Sequence, residues 1–128
     1  MIVDSSALLA IVLREQGYEP LERALGEAAR VGVGAPTLVE TAIVLHARVG
    51  ALSRTLLKRL LDDVGAEPIA FGDRHWPVAL SAFARFGRGR HPADLNFGDC
   101  LTYAVARVAD EPLLCLGDDF ARTDLVLA

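Results

Sequence analysis

A chain of 128 residues is long enough to bury a core and close to the commonest size of one domain, so one domain over residues 1–128 is expected. With 52% hydrophobic and 23% charged residues the composition excludes intrinsic disorder. The net charge of -4 excludes a protein that grips nucleic acid through a broad basic surface, because that mode neutralises many phosphates at once.

In chain order, Met1 to Val3 is a short apolar run ended by Asp4, and Ser5 to Leu13 has the composition of a helix fed by a strand. Leu21, Ala24, Leu25 and Ala28 fall at helical spacing between Pro20 and Arg30, and Val31 to Ala35 reads as a second buried strand. Pro36 opens a helix to about Val49, stopped by Gly50; Leu52 to Val64 repeats the helical period and Gly65 closes it. Glu67 to Phe71 reads as a third strand, Asp73 to Phe86 as a helix, Gly87 to Pro92 as a polar loop and Phe97 to Val108 as another helix. Leu113 to Leu116 is the fourth strand, with a loop to Asp124 and a possible edge strand at Leu125 to Leu127. Strands alternating with helices predict an α/β fold with a central parallel sheet of four to five strands covered on both faces.

An acid stands at Asp4 where a secretory signal carries positive charge, and no apolar run approaches the roughly 18 residues of a membrane span, so a cytoplasmic place is expected. Cys100 and Cys115 sit among apolar neighbours without metal-ligand spacing and read as reduced core residues. Lys58 is the only lysine, which removes most lysine-dependent mechanisms, and neither glycine-rich phosphate loop occurs.

In open parallel sheets functional groups gather at the carboxyl ends of the strands. Acids fall at that edge repeatedly here: Asp4 ends the first strand, Glu40 lies in the first turn after the second, Asp99 opens the helix before the fourth, and Asp118 and Asp119 follow the fourth. Each has a bland explanation as a helix cap; Thr37-x-x-Glu40 matches a capping box and Asn96-x-x-Asp99 resembles one. Four separated segments delivering acids to one rim ask for more, because like charges a few ångströms apart repel by about 1 to 4 kcal/mol per pair. A bound Mg²⁺ or Mn²⁺ offsets that repulsion and suits hydrolysis of a polyanion. Arg85, Arg88, Arg90 and His91 crowd the segment before Asp94 and Asp99 and could position phosphates beside the metal; the alternative is a solvated loop. His46 and His75 lack ligand-like spacing, and Trp76, Phe83 and Phe86 read as packing rather than base-stacking residues.

Together these landmarks resemble a PIN-domain protein, specifically a VapC-type toxin of a bacterial toxin-antitoxin pair. The resemblance is carried by Met1-Ile-Val-Asp-Ser-Ser-Ala7, by Glu40 in Pro36-Thr-Leu-Val-Glu40, by Leu95-Asn-Phe-Gly-Asp-Cys-Leu101 with Tyr103-Ala104, and by Gly117-Asp-Asp-Phe120 with Thr123-Asp124. It implies a three-layer α/β/α sandwich forming a single PIN domain over 1–128, and Mg²⁺- or Mn²⁺-dependent endonucleolytic cleavage of RNA. It places Asp4, Glu40 and Asp99 as the acidic metal-binding residues, with Asp119 favoured over Asp118 as the fourth acid. Ser6, Asn96 and Thr123 become orienting groups, with Asp94 a weaker candidate. It also implies a homodimer and a cognate antitoxin whose C-terminal segment crosses the acidic groove, presenting an arginine. The helix pair from Thr37 to Val64 is a candidate surface for these contacts.

Two rivals are weighed against this. A phosphotransfer protein also ends its first strand with aspartate, but it wants a lysine near the acids, and Lys58 sits in mid-helix. In a non-catalytic protein-interaction module the acids would only cap helices.

Overall fold

The computed structural model describes residues 1–128. Four strands, β1 (Ile2–Val3), β2 (Gly32–Gly34), β3 (Glu67–Ile69) and β4 (Leu113–Leu114), form one parallel sheet in the order β3-β2-β1-β4. Six α-helices connect them: α1 (Ser5–Leu13), α2 (Tyr18–Glu27), α3 (Ala35–Val49), α4 (Ser53–Asp63), α5 (Trp76–Phe86) and α6 (Phe97–Ala109). The expected edge strand at Leu125 to Leu127 is reduced to a single bridge, Leu113 to Leu127.

The sheet is short, and its side-chain alternation explains the layers. Ile2 and Leu113 point into one apolar cluster, with Ala82 and Phe86 of α5 and Tyr103 of α6. Their neighbours Val3 and Leu114 point into the other, with Leu8 of α1 and Leu25 of α2. A strand exposes successive residues on opposite faces, so two consecutive apolar residues are what a strand covered by helices on both sides requires. Leu25 is 2% exposed in the second cluster, and Leu25→Ala is expected to cost about 2–5 kcal/mol in denaturant unfolding.

Several boundaries shift from the sequence expectation for local reasons. Helix α2 starts at Tyr18 rather than Pro20, because a proline in the first turn forfeits no helical hydrogen bond. Helix α5 starts at Trp76 rather than Asp73; Gly72 N–H donates to His75 Nδ1 (3.1 Å) in a preceding turn, and Pro77 sits in the first turn. Helix α3 starts at Ala35, so Thr37 and Glu40 fall inside the helix and the expected capping box there does not form. Thr37 instead meets Thr102 of α6 through a buried hydroxyl contact of 3.0 Å.

The chain runs outward from β1 through β2 to β3 and then returns to place β4 on the other side of β1. Crevices form at such a reversal, beyond the carboxyl ends of the two strands flanking it. Here those ends lead into Asp4 and into Cys115 to Asp119.

Candidate functional site

Asp4 caps α1 and is 4% exposed. Its Oδ2 accepts from Ser6 N–H (3.0 Å) and from Ser6 Oγ–H (2.6 Å), and Ser6 Oγ accepts in turn from Leu116 N–H (3.0 Å). Ser6 therefore ties the ends of β1 and β4 together and fixes one Asp4 oxygen. Asp99 is held by a true capping box: its amide donates to Asn96 Oδ1 (2.9 Å) and its Oδ2 accepts from Asn96 N–H (3.0 Å). Glu40, in the second turn of α3, makes no hydrogen bond to the protein and lies against Gly98, where a Cβ would overlap its Oε2. Gly98→Ala is expected to displace the Glu40 carboxylate while shifting Tm little, since the far end of a flexible side chain gives way, as read by a structure of the variant and thermal melting.

Electrostatics show that the acids share one region. Burial raises the Asp99 carboxyl to about 6, opposed by the Asn96 amide and reinforced by the charges of Asp4, Asp119 and Glu40. Cys115 is pushed up to about 11, first by burial and then by Asp4, Asp119 and Asp99. The thiol is partly buried, packed against the core as its apolar neighbours suggested, and also within the field of these acids, which its place directly after β4 could have signalled. Gly117, at φ +95, turns the chain just before Asp118 and Asp119, and Asp119 stands at the start of a 3-10 turn (Phe120–Arg122).

The acids converge without closing. No three acidic, histidine or cysteine side chains come near enough to enclose an ion by themselves. The donor set nonetheless suits a hard divalent cation, being all carboxylate oxygen, and an open shell suits ions such as Mg²⁺ that retain water.

The other sequence candidates are placed less centrally. Arg85 pairs with Asp124 (3.1 Å), which also accepts from Tyr103 Oη–H (2.6 Å) and from Arg107 (3.3 Å). The Tyr103 hydrogen bond, helped by both arginines, holds the Asp124 carboxyl below its ordinary range. Arg88 pairs with Asp94 (3.5 Å), itself a turn residue at φ +52, and Arg90 lies over the Phe83 ring (5.2 Å). Thr123 Oγ1 serves the local backbone, donating to Phe120 O (2.7 Å) and accepting from Leu125 N–H (3.3 Å). The packing expectation holds for buried Phe86 but not for Trp76 and Phe83, which are 57% and 40% exposed because α5 has no element over its outer face. Exposed large apolar residues include Val39 and Ile43 of α3 and Leu52 between α3 and α4, within the expected helix pair, and also Trp76 and Leu80 of α5.

Comparison with known proteins agrees with this arrangement. The PIN-domain family profile matches residues 1–126. Ribonuclease VapC36 of Mycobacterium tuberculosis is 45% identical over 126 residues, covering 98% of this chain and 91% of that one. Among solved structures, VapC20 of Mycobacterium tuberculosis, described as a sarcin-ricin loop cleaving toxin, superposes with a TM-score of 0.79 over 99% of this chain and 97% of its own, at 17% identity. VapBC2 of Rickettsia felis, bound to a DNA fragment from their promoter, gives 0.74 over 99% and 96%, at 13% identity. These two likenesses attest the fold, and the long, closely covering match to a ribonuclease attests the kinship. The chain belongs to the PIN-domain family, among the VapC ribonucleases.

Proposed function

We propose that this chain is the toxin of a toxin-antitoxin pair, an endoribonuclease whose centre is Asp4, Glu40, Asp99 and Asp119, acting in the cytoplasm with Mg²⁺ or Mn²⁺. The observation that carries this reading is the convergence at the sheet reversal: Asp4 after β1, Asp119 after β4, Glu40 of α3 against Gly98 and Asp99 at the start of α6 lie close enough that burial and the other three charges push the Asp99 carboxyl up. Asp119 is preferred to Asp118 because it is the one whose charge acts on both Asp99 and Cys115. A divalent ion held there would supply Lewis-acid charge and a water of lowered pKa.

The protein's own groups then divide the work. Ser6 orients Asp4 and leaves its second oxygen without a hydrogen bond, while the Asn96 box sets Asp99. Glu40, lacking any partner in the protein, is placed to take a proton from attacking water. In-line attack on phosphorus breaks the bond to the 3′ oxygen, leaving a 5′-phosphate and a 3′-hydroxyl. Arg90 is the more available phosphate contact, since Arg85 pairs with Asp124 and Arg88 with Asp94.

A cognate antitoxin and a second copy complete the assembly, with the exposed apolar residues of α3 and α5 as the surface to be covered. No helix is long and apolar enough to cross a membrane. Read as a non-catalytic module, the fold would leave Glu40 without a task, since it caps nothing. Inducible expression in growing bacteria tests the toxin reading. Growth arrest by wild type and its absence with equally abundant Glu40→Gln supports it; arrest by both overturns it.

A further inference from the structure

Helices α3 and α6 carry Glu40 and Asp99, and three contacts set one helix against the other. At one end a Cβ on Gly34, the residue before α3, would stand 3.0 Å from Val105 Cγ2. In the middle Thr37 Oγ1 meets Thr102 Oγ1 at 3.0 Å. At the other end Glu40 Oε2 lies on Gly98. The partners run forward along α3 and backward along α6, so the helices cross antiparallel, with Thr37 one turn from Glu40 and Thr102 one turn from Asp99. The two hydroxyls, 4% and 1% exposed, form the one side-chain hydrogen bond between these helices. A third buried hydroxyl, Thr41 Oγ–H, donates to Thr37 O (2.7 Å) within α3 and does not cross to α6.

Resting on the ribonuclease reading, we infer that Thr37 and Thr102 are positioning residues: their hydrogen bond fixes the register of α3 on α6 and so holds the Glu40 carboxylate beside Asp99. Glycines stand at both ends of the seam, where no Cβ interlocks with the facing helix, and apolar packing between them tolerates a slide. A hydrogen bond does not, because it weakens steeply outside a narrow range of distance and angle. Specifying register is the best-attested use of a polar contact buried in an apolar interface. Glu40 needs such a setting, since it makes no hydrogen bond of its own to the protein, whereas Asp99 is fixed by Asn96 at the start of α6. Loss of the pair therefore displaces Glu40 and leaves Asp4 and Asp99 in place. Both hydroxyls are buried within the fold, so the role calls for no free surface.

Thr37→Val, Thr102→Val, the double valine variant and Thr37→Ser are compared with wild type by thermal melting, Mn²⁺ titration calorimetry, crystal structures without metal and steady-state cleavage of RNA in Mn²⁺. Each single valine strands the other hydroxyl in an apolar seam and lowers Tm; the double variant strands neither and recovers most of it. Positioning predicts that kcat nonetheless stays about tenfold down in the double variant, as in the singles, with KM and Mn²⁺ affinity within about twofold of wild type. The Glu40 carboxylate of the double variant is then displaced by on the order of 1 Å. Thr37→Ser, which keeps the hydroxyl, retains wild-type kcat. A double variant that recovers kcat together with Tm overturns the proposal, as does an unmoved Glu40 carboxylate or a kcat loss in Thr37→Ser as large as in Thr37→Val. Wild-type protein that binds Mn²⁺ and cleaves no RNA overturns the function beneath it, while the position of Glu40 in the double variant still decides the register.

Discussion

Asp4→Asn is expected to leave a folded protein that melts no lower than wild type in the absence of metal and cleaves RNA on the order of a thousandfold more slowly. The two halves of that result separate the bland role of Asp4 from the chemical one. Asparagine is as good an N-cap as aspartate, and its carbonyl oxygen accepts from Ser6 N–H and Oγ–H as the carboxylate does. Stability built on the cap therefore survives. The negative charge is lost, however, and with it a ligand oxygen and part of the field that raises Asp99. Removing one buried like charge from the cluster relieves repulsion, so metal-free melting holds or rises. Loss of folding alongside loss of activity would mean that Asp4 is chiefly structural.

Metal affinity should fall about tenfold between pH 7 and pH 5, with cleavage at limiting metal falling in step. The Asp99 carboxyl is raised from 3.8 to about 6, so at pH 7 it is mostly ionised and at pH 5 mostly protonated. A proton must leave before the carboxylate can ligate a cation, and below about 6 each pH unit then weakens binding about tenfold. The sign for stability is the reverse. A carboxyl with a raised folded-state pKa contributes stability that is full below its unfolded value and lost as pH rises through about 6. Metal-free protein should therefore be less stable at pH 7 than at pH 5 on this group's account, and bound metal should remove the difference. Isothermal titration with Mn²⁺ across that range, paired with Asp99→Asn, reads the affinity directly; a flat profile contradicts an Asp99 carboxyl raised by burial and its acidic neighbours.

Much of the fold was legible because its signals are local and redundant. The apolar pairs Ile2-Val3 and Leu113-Leu114 mark strands covered on both faces, and the helical periods of α2, α4 and α6 are written in leucine, alanine and valine. Strand ends were overestimated, since Phe71 and Leu116 are apolar for other reasons. Phe71 stacks on His75 at 5.1 Å, and Leu116 lies beyond the ladder with its amide on Ser6.

At the site, sequence brought the acids to one edge but could not tell caps from free carboxylates. Asp4 and Asp99 prove to be caps as well as members of the cluster, whereas Glu40 caps nothing because α3 begins two residues before Thr37. The separation of Asp119 from Asp118, the commitment of Arg85 to Asp124 and the place of Cys115 among the acids depend on which way adjacent residues project after β4. No periodicity encodes that. The exposure of Phe97 was hidden for a related reason: within an apolar helix, only the absence of a covering element distinguishes an exposed ring from a packed one.

The most direct test of the central claim is incubation of purified protein, freed of any co-purifying partner, with mixed RNA in Mg²⁺, in Mn²⁺ and in EDTA, beside an Asp99→Asn control. Cleavage with either metal, absent in EDTA and in the variant and leaving 5′-phosphate ends, is the predicted result. Cleavage that persists in EDTA or in Asp99→Asn protein would contradict it.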